Sequence, residues 1–211
     1  MRTERTSRPA DAPPALRVEV ELTIPETLAA LTIAALGVGA AVPSVGSMLR
    51  SWKLTCAGRD MSVELHRARM EAVGRGANVG ILFERSADGG RWRLYVDGGI
   101  RGIHAAEIAS GVDMPIGETF DLAARYPGVR IGIGGTGAVP RIPPSTGSLS
   151  PSDDPIAFGG TDIFSAAPTG ETSSGTLYLT DGNDMRGVVV FGATGRVRLW
   201  SYDDQTGQWR Q

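Results

Sequence analysis

Residues that usually build active sites and cross-links are scarce in this chain. Its 211 residues include one cysteine, Cys56, and two histidines, His66 and His104. A single cysteine cannot form an internal disulfide, and with so few histidines a zinc site would need carboxylates for most of its ligands. The formal net charge is −2, and no basic patch with interleaved aromatic residues is present. Nucleic acid is therefore not expected as a partner.

Motifs for catalysis are also missing. The chain contains no Gly-x-Ser-x-Gly sequence of the kind that holds a nucleophilic serine. Gly132–Gly137 matches the glycine pattern of a dinucleotide-binding loop and follows a predicted strand, but a helix must begin at the end of such a loop. The next residues, Ala138–Pro144, are rich in proline and cannot form that helix. We therefore expect no cofactor, no catalytic residue and no enzyme activity.

Carboxylates occur in pairs, but in settings typical of turns. Asp153 with Asp154 and Asp181 with Asp184 lie in predicted loops, where aspartate commonly accepts hydrogen bonds from its own backbone. Calcium binding is the alternative for these pairs. The segment Asp97–Gly102 matches half of a calcium loop but lacks the second and third ligands. We therefore predict no metal site.

What the chain does have is an uncharged run from Thr27 to Leu49, bounded by Glu26 and Arg50. As a helix this run would be about 35 Å long, enough to cross a hydrocarbon core of about 30 Å. Its many small residues leave a buried helix of a soluble protein as an alternative. A core helix normally shows a polar face, which this run lacks. The pattern therefore favours a transmembrane helix over residues 22–49.

The helical pattern continues past the run as an amphipathic segment over residues 50–74. Its apolar positions recur at helical spacing and predict a face that packs on a sheet. These positions are Met61, Leu65, Ala68 and Ala72, with Trp52, Cys56, Val63, Met70 and Val73 on a neighbouring stripe. Gly74 and Gly76 should end the helix, which then extends from about Pro25 to Val73. Pro43 lies in its interior and is expected to kink or locally melt it.

On either side of this helix the chain changes character. Residues 1–21 carry prolines and charges of both signs, and are expected to form a leader or a disordered cytoplasmic segment. After Gly76 the apolar period becomes two. Asn78–Glu84 and Arg91–Asp97 predict a hairpin around Arg85–Gly90.

Further strands are predicted in the second half of the chain, and Gly135–Pro155, which is rich in glycine, proline and serine, is predicted as a long loop. The strands are Val129–Gly134, Thr176–Thr180, Gly187–Phe191 and Arg196–Tyr202. Residues 75–211 are thus expected to form a β-rich globular domain. The predicted fold class is α+β, with a long N-terminal helix packed on an antiparallel sheet.

The segment Leu22–Leu36 reads Leu-Thr-Ile-Pro-Glu and then an apolar stretch, with Pro43 further along. It resembles the N-terminus of type IV pilins and of the pseudopilins of type II secretion systems. In those families Phe-Thr-Leu-Ile-Glu follows a glycine and leads into an apolar helix that a proline interrupts. Leu22 then falls at the first residue of the mature chain, Glu26 at the glutamate and Pro43 at the proline.

Two further regions narrow the resemblance to the GspH/FimT group of minor pseudopilins. Arg67–Ala72 resembles the Arg-x-x-Ala-containing end of the helix in that group. The closing hairpin of the group is similar to three segments of this chain, Gly175–Leu179, Val188–Val190 and Thr194–Arg198. The resemblance implies a pilin-like fold and a structural role. The protein would assemble through its N-terminal helix into a short periplasmic filament that helps to move folded proteins across the outer membrane.

The resemblance also implies residue roles. Glu26 and Pro43 would serve assembly, with Glu26 pairing with the new terminal amine of a neighbouring subunit. Prepilin peptidase would cut between Glu21 and Leu22, and the amine of Leu22 would then be methylated. Two positions depart from the family pattern, since Glu21 stands where the family has glycine and Pro25 where it has an aliphatic residue.

The partners implied are other pseudopilins or pilins of the filament, the inner-membrane assembly platform, prepilin peptidase and membrane lipid. The chain would be a single-pass protein of the cell inner membrane with its C-terminal domain in the periplasm. Two alternatives stay open. One is a minor pilin of a type IV pilus that serves adhesion, motility or DNA uptake. The other is a membrane-tethered β-domain that binds a ligand through the Gly135–Pro155 loop.

Overall fold

The computed structural model describes residues 23–135 and 137–211, and the side chains of residues 34–45 lie outside that description. The chain divides into two compact units, Met1–Ser44 and Val45–Gln211. Helix α1 begins at Ile24 and ends at Arg75, which confirms the long helix predicted from Pro25 to Val73. Gly76 follows with a φ of 63°, the left-handed conformation in which glycine commonly ends a helix.

Strands and two short helices make up the rest of the described chain. In chain order they are β1 Val79–Glu84, β2 Arg91–Val96, α2 Ala105–Ser110, β3 Met114–Asp121, α3 Leu122–Arg125, β4 Arg130–Ile131, β5 Val139–Pro140, β6 Ser148–Leu149, β7 Ile156–Phe158, β8 Ile163–Ala166, β9 Gly175–Thr180, β10 Met185–Phe191, β11 Arg196–Asp203 and β12 Gln208–Arg210. All of the strand pairings are antiparallel, so the predicted α+β class is confirmed.

The strands form two main sheets. The first has the order β3-β2-β1-β8, and the second has the order β12-β11-β10-β9-β4 with β7 also paired to β9. The predicted hairpin is present, because Val79 pairs with Val96 and Glu84 with Arg91. The three predicted C-terminal strands are also present as β9, β10 and β11, joined by tight turns.

Helix α1 packs against both sheets through one face. This inner seam consists of Leu54, Ala57, Met61, Leu65, Ala68 and Ala72, all with at most 1% of their surface exposed. It shares one core with buried residues of both sheets, among them Ile81, Phe83, Leu177 and Val188. The small residues bring the helix backbone close to the sheets. At Gly58 an added Cβ would lie only 2.6 Å from the Leu199 side chain.

Polar contacts fasten α1 at three levels along the domain. Arg186 of β10 donates to the hydroxyls of Ser51 at 3.1 Å and Thr55 at 3.4 Å. Near the middle of the packed part, the Tyr126 hydroxyl donates to the carboxylate of Asp60 at 2.7 Å. Towards the end of the helix, Arg69 Nε donates to the carbonyl oxygen of Gly170 at 2.7 Å. Each bond links the helix to a different element.

The stripe next to the predicted packing face lies in solvent. Trp52, Val63, Met70 and Val73 expose between 49% and 68% of their surface, while Cys56 is half-buried. Val63 and Met70 follow the inner-seam residues Met61 and Ala68 by two places, which is close to half a helical turn. They therefore face away from the sheets, and of the two predicted stripes only the inner seam belongs to the core.

The segment Gly135–Pro155 is not the open loop that its composition predicted. It contains the β5–β6 hairpin, in which Val139 pairs with Leu149. Val139, Ile142 and Leu149 are buried in a second core with Tyr178 and Trp209. The Trp209 indole N–H also donates to the Pro140 carbonyl oxygen at 2.7 Å. A few apolar residues spaced among turn formers are enough to fold the segment onto the sheet.

Within the described part of the chain, no helix combines the length and the apolarity that a membrane crossing requires. The helical conformation predicted for this region is present from Ile24 onward, and the span over residues 22–49 stays a prediction.

The packing of α1 leads to a stability prediction with a neighbouring control. Leu65→Ala should lower the free energy of unfolding by about 2–5 kcal/mol, because it opens a cavity between helix and sheets. Val63→Ala, on the opposite face, should change it by less than about 0.5 kcal/mol. Urea unfolding of the purified protein, followed by circular dichroism, measures both. Equal losses in the two variants would contradict the placement of the inner seam.

Candidate functional site

The structure describes only one of the four residues predicted for assembly and processing together with its side chain. Glu21 and Leu22 lie outside the described residues, and so does the side chain of Pro43. Their predicted roles in cleavage, methylation and helix bending stay predictions. Glu26 is described and lies in the first turn of α1.

Glu26 closes the N-terminus of its own helix. Its Oε2 accepts hydrogen bonds from the Thr23 backbone N–H at 3.0 Å and from the Thr23 hydroxyl at 2.9 Å. Thr-x-x-Glu with the glutamate reaching back to the residue before the helix is a capping-box arrangement. This local role was not predicted, although the Thr23-Ile24-Pro25-Glu26 sequence contains its signature. The structure does not test the assembly role.

The helix that Glu26 caps displays apolar side chains. Ile24, Leu28, Leu31 and Ile33 each expose between 59% and 78% of their surface. Side chains of this size are normally buried, and each gains about 1.5–3 kcal/mol when it leaves water. This part of α1 is therefore a surface that favours contact with lipid or with another apolar surface.

A second cluster of functional side chains lies around the loop after β2. Carboxylate oxygens of Asp97, Glu107 and Asp113 all lie within 4.8 Å of one another. Asp113 is 1% exposed, and its two oxygens accept from the backbone N–H groups of Gly98 at 3.3 Å and His104 at 3.2 Å. Glu107 Oε2 is buried and makes no hydrogen bond.

Asp97 holds the other end of this loop. Its Oδ1 accepts from the Gly99 N–H at 2.8 Å, and its Oδ2 accepts from the Gly102 N–H and the Asn78 amide, each at 2.9 Å. Burial raises the pKa of Asp97, but these hydrogen bonds together lower it by a larger amount. The pKa therefore lies below its ordinary value. The carboxylate is thus held in its charged form by the loop that it organises.

The three carboxylates are chemically able to ligate a hard cation such as calcium. They would supply only part of the six to eight oxygen ligands that calcium usually takes. Asp97 and Asp113 are also already engaged by the backbone N–H groups and the Asn78 amide of the loop. The role that the contacts show is therefore anchoring of the loop between β2 and α2.

The sequence did not predict this convergence. Asp97 was assigned to an incomplete calcium loop, but its neighbours in space, Glu107 and Asp113, come from α2 and from the turn after it. The short α2, with its left-handed Gly111, carries no strong periodic signal. The signal available in the sequence was that two acidic residues, Glu107 and Asp113, follow the glycine-rich turn Asp97–Gly102 by a few positions.

Three of the four paired aspartates, Asp153, Asp154 and Asp181, have the turn role that was predicted for them. Asp153 accepts from the Ser150 N–H at 2.8 Å, and Asp154 accepts from the Ile156 N–H at 3.1 Å. Asp181 accepts from the N–H groups of Asn183 and Asp184 at 2.9 and 2.7 Å. The glycine-rich segment Gly132–Gly137 continues into β5, as expected for a strand end and loop.

Comparison with models of known protein families gives no match, and comparison with curated protein sequences also gives none. Among solved structures, the chain is similar to the minor pseudopilin EpsH of the type 2 secretion system of Vibrio cholerae. The TM-score is 0.42 at 12% identity, over 71% of this chain and 97% of that one. A second EpsH structure gives 0.39 at 13% identity, over 70% and 92%. Such low values leave the function to be inferred from the chain's own residues.

The Asp97 contacts predict a pH-dependent contribution to stability. A carboxyl whose pKa is lowered by folding stabilises the fold above its ordinary value of 3.8, and the contribution is lost as the pH falls through the folded-state pKa. Asp97→Asn should lower the free energy of unfolding by about 1–3 kcal/mol at pH 7. The difference in free energy of unfolding between this variant and the wild type should become smaller below about pH 4. Urea unfolding at pH 7, 5 and 3 measures both effects.

The control for this experiment is Asp88→Asn, in the exposed β1–β2 turn. This variant removes an equal charge without removing a loop contact, so its stability should follow the wild type at every pH. A loss in Asp97→Asn that stays constant down to pH 3 would contradict the proposed charge dependence.

Proposed function

We propose that this chain is a structural, non-catalytic subunit of a pilin-like filament, and specifically a minor pseudopilin of the GspH/FimT group in type II protein secretion. The observation that carries the proposal is the exposed apolar N-terminal part of α1, capped by Glu26. Helices of filament subunits need such a surface twice, first in the bilayer and then against other helices.

The apolar surface continues in sequence beyond the described side chains. The uncharged run extends to Leu49, and Arg50 is the first charge after it. We propose that residues 22–49 span the cell inner membrane and that the domain after them is periplasmic. Their alanines and glycines suit close packing between helices in a membrane, so the same segment can leave lipid and enter a filament of pseudopilins.

Glu26 is the residue that we propose to specify assembly. A carboxylate at the edge of the hydrocarbon is costly unless it is paired, and in the free subunit its partners are the N–H and hydroxyl of Thr23. In the filament, the terminal amine of a neighbouring subunit would pair with it. That amine would be generated by prepilin peptidase acting between Glu21 and Leu22, before the assembly platform adds the subunit.

The same helix would serve a minor pilin of a type IV pilus, and the filament that the chain enters distinguishes the two. A membrane-tethered binding domain is the second candidate. It is favoured by an open cleft of about 490 Å³ beside β10 and β11, lined by residues that include Phe191, Arg196 and Arg198. Guanidinium groups beside an aromatic ring suit an anionic or planar ligand.

The assembly role predicts that the charge of Glu26 matters beyond helix capping. Glu26→Ala should remove both the cap and the charge, whereas Glu26→Gln should keep the capping hydrogen bond, since glutamine also serves in a capping box. Both variants should lose incorporation into filaments by about tenfold or more, because a neutral amide cannot neutralise a buried amine. The fraction of protein recovered with sheared filaments measures this.

Thr23→Val is the matched control, because it removes the hydroxyl contact and leaves both the carboxylate and the backbone N–H. It should incorporate nearly as well as the wild type. Normal incorporation of Glu26→Gln would contradict the proposed pairing. Absence of the wild-type protein from any filament would contradict the filament function.

A further inference from the structure

The outward face of α1 in the globular unit repeats with the spacing of a helix-packing surface. Its exposed positions are Trp52, Arg59, Val63, His66, Met70 and Val73, which we call the outer seam. With the half-buried Cys56, they recur in steps of four and three residues. Alternation of this kind is what a second α-helix packs against. The inner seam, on the other side of the same turns, is fully used by the sheets.

The outer seam carries one guanidinium group and no carboxylate. Arg59 and His66 lie among its apolar residues, and in the part of the chain that the structure describes neither forms an ion pair. Arg59 therefore presents an uncompensated charge at the centre of an exposed apolar stripe.

The acidic residues of this stretch of α1 are all engaged within the chain. Asp60 lies 3.2 Å from Arg125 and accepts from Tyr126. Glu64 lies 3.6 Å from Arg67, and Glu71 lies 2.7 Å from Arg75. None of these carboxylates belongs to the outer seam. Among the described residues of this stretch of α1, no free carboxylate is left for Arg59, so its counter-charge has to come from outside this helix or from one of these existing pairs.

We propose that the outer seam docks an α-helix of a different subunit, one that places a carboxylate against Arg59 between apolar residues that cover Val63 and Met70. This inference rests on the proposed filament function and adds the chemistry of the neighbour. Burying a guanidinium without a partner is strongly unfavourable, so a helix lacking that carboxylate is rejected.

A second copy of this chain fits this role poorly, because the carboxylates in this stretch of its α1 lie outside the seam and are already engaged by Arg67, Arg75 and Arg125. If two outer seams met, Arg59 would face only apolar or basic side chains, because the seam contains no acid. Pairing with itself is therefore disfavoured, while pairing with a helix of opposite charge is favoured. The seam would place this subunit beside a different one in the filament and would oppose runs of identical subunits.

The experiment is site-specific photo-crosslinking from position 63 in full-length protein, co-expressed with the other subunits of its filament. The wild type should crosslink to one subunit other than itself, at a helical peptide that contains an acidic residue. Arg59→Glu should lower the crosslink yield by about tenfold or more. Changing that acidic residue of the partner to arginine should restore the yield with Arg59→Glu, which a merely structural role of Arg59 would not do.

Arg75→Glu is the control on the same helix, because Arg75 is exposed and lies about 160° around the helix axis from Arg59, and it should crosslink like the wild type. Unfolding midpoints of both variants should match the wild type, which separates misfolding from lost contact. Equal crosslinking of wild type and Arg59→Glu would overturn the inference while leaving the filament function standing, whereas a wild type that enters no filament would overturn both.

Two other results would also overturn the inference. One is a dominant crosslink between two copies of this chain. The other is binding to vesicles of phosphatidylcholine and phosphatidylglycerol that Arg59→Glu abolishes, with no protein crosslink, since the seam would then face an anionic lipid surface.

Discussion

Burial of the inner seam of α1 is the contact on which the rest of the domain depends. Each sheet has an apolar face towards the helix, and a face of this kind is stable only when another element covers it. Met61, Leu65 and Ala68 cover both sheets at once, so one helix closes the core. The polar bonds from Asp60 and Arg69 to distant loops then fix its rotation as well as its position.

Because the rotation of α1 is fixed, the chemistry of its two sides is separated. The side towards the sheets is apolar and nearly free of charge, while the opposite side combines Trp52, Val63 and Met70 with Arg59. A helix needed only to close a domain would gain nothing from exposed residues of this size. In the proposed filament, these residues left exposed by the packing of α1 would be the ones that a neighbour can use.

The periodic parts of this fold could be predicted from the sequence, whereas the parts without a periodic pattern could not. Long α1 and strands β9 to β11 carry several turns or alternations of signal, whereas β4 or β7 is two or three residues long and has no period to detect. The hairpin hidden in Gly135–Pro155 depends on Trp209, far away in the chain. The meeting of Asp97 with Glu107 and Asp113 depends on loop geometry, which is a tertiary property. Glu26 was identified from a resemblance, but its capping contact with Thr23 was readable locally.

Glu26 shows how a local contact can set the conditions for assembly. In the free subunit its carboxylate is already satisfied by Thr23, so a neighbour that offered only another neutral donor would exchange one hydrogen bond for a similar one and gain little. A charged amine is different, because it adds the attraction between two opposite charges to the hydrogen bond. In the proposed assembly, the cap would keep the glutamate occupied until a cationic partner arrives. A free terminal amine at Leu22 would be such a partner. Release of Glu26 for assembly would then depend on cleavage of the peptide bond between Glu21 and Leu22.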